Sequence, residues 1–112
     1  MDILDKLNKK FVYTPDKKEL WRYLDLSQET VKGDCEDYVL TLQKELGGSI
    51  YFCKVSGWGH AVLKLDDLWI DCITKEWVKK FPSSYFGFKK ISWLGVKWRV
   101  FKGYLKTKLG KV

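Results

Sequence analysis

The chain has 112 residues, of which 46% are hydrophobic and 16% aromatic, with a formal net charge of +7. That length and apolar content predict one globular domain spanning residues 1–112 and exclude a disordered chain. No apolar run approaches the roughly 18 residues of a membrane span, and Met1 to Lys6 lacks the apolar stretch of a secretory signal.

The charge is uneven. Residues 1–74 carry net −3 and residues 75–112 net +10. The basic C-terminal third suits an anionic partner such as nucleic acid, an anionic polymer or an acidic protein, although a solvated surface explains the same charge. Three cysteines, Cys35, Cys53 and Cys72, form no CxxC pair. An odd, unpatterned set argues for a reducing, cytoplasmic setting rather than a disulfide framework.

Along the chain, Thr14-Pro15-Asp16 predicts a helix start, with the helix running through Leu20, Trp21 and Leu24 to near Ser27. A second helix is expected from Gly33-Asp34, with Asp34 as N-cap and Asp37 completing a capping box. Cys35, Tyr38, Val39, Leu42 and Leu46 form its apolar stripe, and Gly47-Gly48 ends it. The period then changes to that of strands. Ser49 to Val55 reads as a strand, Gly57-Trp58-Gly59 as a loop, and His60 to Leu65 and Leu68 to Cys72 as a hairpin around Asp66-Asp67. Thr74 to Phe81 reads as a short helix. Lys89 to Trp93 and Val96 to Phe101 read as strands around Leu94-Gly95, and Lys106 to Val112 as a loose tail. Helices followed by strands predict an α+β fold, with N-terminal helices packed on a small antiparallel sheet.

The hairpin register adds a constraint. With Asp66 and Asp67 as the loop, Leu65 faces Leu68, Leu63 faces Ile70 and Ala61 faces Cys72, all on one apolar face. The other face then carries His60, Val62, Lys64, Trp69 and Asp71. His60 and Asp71 become diagonal neighbours with backbones about 7–8 Å apart. A slip of one residue would separate them and bury the wrong set.

Cys35 opens a helix, and a helix N-terminus lowers a thiol pKa. His60, the only histidine, is placed to take the thiol proton, and Asp71 to orient its ring. Glu36 and Asp37 oppose the thiolate unless they point outward or cap the backbone. The Cys35 N–H and the Gln28 side chain are candidate oxyanion donors. Trp58 and Trp69 are candidates to line or shield the cleft, and core packing explains both equally.

Gly33-Asp34-Cys35-Glu36-Asp37-Tyr38, then Gly59-His60-Ala61-Val62-Leu63, then a short strand ending in Asp71, together resemble the bacterial transglutaminase-like cysteine peptidases. These are relatives of the papain-like and transglutaminase folds. The segment from Ser27 to Gly33 is similar as well, so the resemblance runs from Trp21 to Cys72. It implies Cys35 as nucleophile, His60 as base and Asp71 as orienting acid. It further implies a cysteine peptidase or amidohydrolase that needs no cofactor, forms a thioester and acts on a protein, peptide or other amide. Transglutamination or deamidation differ only in what enters or leaves. So short a chain suggests a phage or mobile-element protein.

Two other readings stand beside this one. A non-catalytic binding or inhibitor module would act through the basic C-terminal third, where Val96, Trp98 and Val100 alternate with Lys97 and Arg99 as in an edge strand. A zinc site built from Cys35, His60, Asp71 and Cys72 is disfavoured, because the register sends Cys72 to the opposite face. Cys53 and Cys72 are both expected in the core.

Overall fold

Asp2 opens the first helix, α1 (Ile3–Lys10), by accepting the Asp5 N–H at 2.9 Å in the computed structural model, which describes residues 2–14 and 21–109. Strand β1 (Phe11–Tyr13) follows at once and pairs in parallel with β2 (Val31–Gly33). Helix α2 (Cys35–Leu46) starts immediately after β2 and ends at Gly47, whose φ of +82° suits glycine. Then come β3 (Ser49–Val55), β4 (Trp58–Leu65), β5 (Leu68–Ile70) and β6 (Tyr85–Lys90), and finally helix α3 (Trp93–Leu109). The four later strands form an antiparallel sheet in the order β5-β4-β3-β6. The result is an α+β fold with a small antiparallel sheet. No helix among the described residues is long and apolar enough to cross a membrane.

The side-chain periods explain the layers. Helix α2 buries Tyr38, Val39, Leu40 and Leu42 in one cluster with Ile50, Ala61, Leu63 and Ile70 of the sheet. Each Val, Leu or Ile of this cluster contributes about 1.5–3 kcal/mol when fully buried. Alternate residues of the same strands, Cys53 and Val62, enter a second cluster with Phe81 and Tyr85 on the other sheet face. Helix α3 contributes Val96, and its Arg99 guanidinium lies over the rings of Trp21 and Phe52 at 5.6 and 5.3 Å.

The α2 helix, the strand from Ser49 to Val55 and the hairpin pairs Leu65–Leu68 and Leu63–Ile70 match expectation. Several other elements differ. Residues 15–20 of the expected first helix lie outside the described residues, and 21–27 are not helical. The Arg22 and Leu24 N–H groups are instead taken by the Asp37 carboxylate and the Thr41 hydroxyl of α2. The loop at Gly57 is a tight turn, and Trp58 already belongs to β4. Thr74 to Phe81 is not helical, because Val78 exchanges both backbone hydrogen bonds with Trp69. The strands expected from Lys89 to Phe101 are a strand that ends at Lys90 and a helix that starts at Trp93. Ser92 caps that helix by accepting the Gly95 N–H at 3.0 Å. The expected tail is helical as far as Leu109, and 110–112 lie outside the described residues.

Candidate active site

The site is built at the N-terminus of α2. Asp34 accepts the Asp37 N–H at 3.1 Å, and Asp37 accepts the Asp34 N–H at 3.3 Å, a reciprocal capping box. Gly33 is required by close approach, since a Cβ there would sit 2.9 Å from Asp37 Oδ2 and 3.0 Å from Leu24 Cδ2. Cys35 is thereby fixed at the first helical position, half-buried, with its N–H among those a helix start leaves free of intrahelical partners. Asp37 caps the backbone and pairs with Arg22 Nε at 3.5 Å. Burial and the Asp34 charge push its carboxyl up to about 7, against the pull of these donors.

Asp71 is fully buried and surrounded by donors. Its Oδ2 accepts from His60 Nε2 at 2.6 Å and from the Tyr85 hydroxyl at 2.6 Å. Its Oδ1 accepts the Ile73 and Thr74 N–H groups at 3.2 and 2.8 Å. Burial alone would raise the Asp71 pKa, but the hydrogen bonds from His60, Tyr85 and Thr74 hold it below its ordinary value. Burial likewise disfavours charge on His60. Asp71 and Cys35 outweigh it and push the imidazole up to about 9. With Nε2 engaged by Asp71, Nδ1 is the ring nitrogen left for sulfur.

The turn that Asp71 nucleates corrects one expectation. Because Asp71 caps Ile73 and Thr74, β5 stops at Ile70 and Cys72 leaves the ladder instead of facing Ala61. Cys72 comes to lie with Cys35 and His60, and one ligand atom from each falls within 4.8 Å of the others. The hydrogen bond with Cys72 and then burial push the Cys35 thiol up, and the pull of His60 in the other direction does not prevail. The two shifts conflict, since His60 gains from Cys35 as an acceptor while Cys35 resists ionising. We assign the charge to the His60–Asp71 pair, whose 2.6 Å contact is to a buried carboxylate, and a neutral thiol to Cys35 near neutral pH.

Cys35, His60 and Cys72 form the floor of an open cleft of about 440 Å³, rimmed by Tyr13, Trp58, Ile73 and Lys75. Trp58 stands at this rim and is 80% exposed. Gln28 is not brought to the cleft; it lines a separate groove with Arg22, Thr30 and Lys32. Trp69 does not line the cleft either. It packs against Tyr51, Phe81 and Phe88, and the aromatic ring against His60 is that of Tyr85, at 5.8 Å between centroids. The sequence reading missed Tyr85 and Tyr13. Tyr85 arrives from a distant strand, whereas Tyr13 is carried to the rim by the β1–β2 pairing, in which it lies beside Gly33.

Comparison of the chain with protein-family models, with curated proteins and with solved structures finds no match.

Proposed function

We propose that this protein is a thiol-dependent amide hydrolase of papain-like or transglutaminase-like type, with Cys35 as nucleophile, His60 as base and Asp71 as orienting acid. The observation that carries the reading is the buried His60–Asp71 contact at 2.6 Å with the Cys35 sulfur beside the same ring, at the mouth of a cleft. The motif resemblance of Cys35 and His60 to transglutaminase-like peptidases points the same way.

In this mechanism, loss of one proton from the thiol–imidazolium pair produces the reactive state. The Cys35 sulfur bonds to the amide carbon as its remaining proton rests on His60, and the carbonyl oxygen becomes an oxyanion near the Cys35 N–H. The C–N bond then breaks, and His60 gives its proton to the departing amine. His60 next takes a proton from water as the water attacks the thioester, and the acid leaves with the thiol restored. Tyr85 and the Thr74 backbone keep Asp71 charged and fixed, and so hold the ring.

The test is acylation by an activated p-nitrophenyl ester, followed by mass spectrometry. A single acyl group on Cys35, lost in Cys35→Ala and slowed in His60→Ala, supports the reading. Hydrolysis that persists in folded Cys35→Ala overturns it.

A second reading has one observation behind it. Helix α3 exposes Trp93, Leu94, Trp98 and Phe101 beside Lys97 and Lys102, a basic aromatic surface suited to an anionic partner. On that reading, binding to a polyanion falls steeply with salt and survives Cys35→Ala.

A further inference from the structure

We propose that Cys35, Cys72 and His60 form a binding site for a soft divalent cation, for which zinc is the natural occupant. Two sulfurs and one imidazole nitrogen converge from three separate places: the start of α2, the turn after β5 and the beginning of β4. Their ligand atoms all lie within 4.8 Å of one another. Tetrahedral zinc with Zn–S near 2.3 Å and Zn–N near 2.0 Å needs edges of about 3.5–3.8 Å. Closing the set therefore requires no pair to approach by more than about 1.3 Å, a shift of side-chain scale.

Two further observations support a metal rather than a chance cluster. The first is the outer shell. His60 already has its other ring nitrogen on a buried carboxylate, Asp71, which fixes the ring and presents Nδ1 to the sulfurs. Asp71 is itself held by Tyr85, Ile73 and Thr74, so the support extends beyond the carboxylate. The second is access. The three groups sit at the floor of the cleft rimmed by Tyr13, Trp58, Ile73 and Lys75, which leaves a fourth tetrahedral position facing solvent for water. Cys53 pairs with His60 across the β3–β4 ladder and is not part of the set. Binding expels the thiol protons of Cys35 and Cys72 and the Nδ1 proton of the His60 imidazolium, so that His60 ligates as neutral imidazole with its Nε2–H still donated to Asp71.

This site does not depend on the proposed hydrolase activity. If both hold, the metal occupies the sulfur and the ring nitrogen that hydrolysis uses, and bound zinc inhibits the enzyme. The decisive experiment is titration of the full chain with Co²⁺ and then Zn²⁺, kept reduced with a phosphine. The expected result is one equivalent of Co²⁺ giving a thiolate charge-transfer band and intense tetrahedral visible bands, both bleached by Zn²⁺. Cys72→Ala and His60→Ala abolish the spectrum, Cys53→Ala keeps it, and Asp71→Asn retains the bands with affinity weakened about 10–100-fold. A tetrahedral spectrum unchanged in Cys72→Ala overturns the assignment, and so does its absence from wild-type protein shown to be folded by circular dichroism. Since Cys72 has no part in the acyl-transfer steps, the hydrolase reading and the metal site fail separately.

Discussion

Tyr85 and His60 donate to the same oxygen of Asp71, each at 2.6 Å. The carboxylate is therefore shared between a ring that carries charge and a phenol that does not, and the phenol fixes the direction in which the carboxylate presents itself to His60. Tyr85→Phe removes one donor from a fully buried anion. A hydrogen bond to a charged group is worth about 1.5–3 kcal/mol, and we expect a loss of that size in urea unfolding at neutral pH. Because the Asp71 pKa is lowered by folding, its contribution is present above the ordinary carboxylate range and fades as pH falls below it. The Tyr85→Phe deficit should shrink in acid. A deficit that is constant with pH would mean that Tyr85 acts through packing on Phe81 instead.

His60 is the only histidine, so its titration can be followed by NMR without ambiguity. Its pKa is pushed up to about 9 from 6.5, chiefly by Asp71 and then Cys35 working against burial. The ring should remain protonated through neutral pH. In Asp71→Asn the carboxylate that raises the ring is gone, and the midpoint should fall well below the wild-type value of about 9. The sign for stability follows: a raised pKa stabilises the fold fully below pH 6.5 and the benefit disappears as pH rises through about 9. Wild type should lose more melting temperature across that window than Asp71→Asn, which keeps only the smaller loss expected from Glu36.

Cys72 is the largest influence holding the Cys35 thiol up. Cys72→Ala should therefore lower the pH at which Cys35 reacts with iodoacetamide and raise its rate at neutral pH. Cys53, pushed up to about 11 by burial, should react slowly in both proteins. Each thiol is identified by peptide mapping of the native, briefly labelled chain. A Cys35 rate that falls in Cys72→Ala would show that Cys72 assists ionisation rather than opposing it.

What the sequence made legible was local. The Asp34–Asp37 capping box, the apolar stripe of α2 and the Asp66-Asp67 turn each depend on residues a few positions apart, and all are present, except that Leu46 at the end of the stripe is exposed. The pairing of His60 with Asp71 was legible because a two-residue period forces them to one face. The misreadings share one physical cause, competition from groups distant in sequence. Arg22 and Leu24 give their N–H groups to Asp37 and Thr41 of α2, so propensity for helix is overridden. Cys72 misses its ladder position because Asp71 captures the two N–H groups that follow it. Val96 to Phe101 alternates like a strand, yet Val96 and Val100 also lie one helical turn apart and pack on the core. Ser92 before Trp93 and Asp2 before Ile3 were unread N-cap signals for α3 and α1.

Glu36, the residue after the proposed nucleophile, gives the last prediction. Burial, the hydrogen bond with Asp34 and the charges of Asp34 and Asp37 push its carboxyl up to about 8 from 4.5. Folding therefore favours its protonated form. Its relative contribution to stability is fully present below pH 4.5 and is lost as pH rises through about 8. Glu36→Gln keeps the shape and cannot ionise, so the variant should gain on wild type progressively across that window and converge with it in acid. Removing this negative charge beside Cys35 should also speed its alkylation above pH 8, where wild-type Glu36 is ionised. Chemical denaturation at several pH values checks the first effect and iodoacetamide kinetics the second. A stability difference that does not change with pH would show that Glu36 is solvated and already charged in the folded protein, and its influence on the thiol would then have to be small.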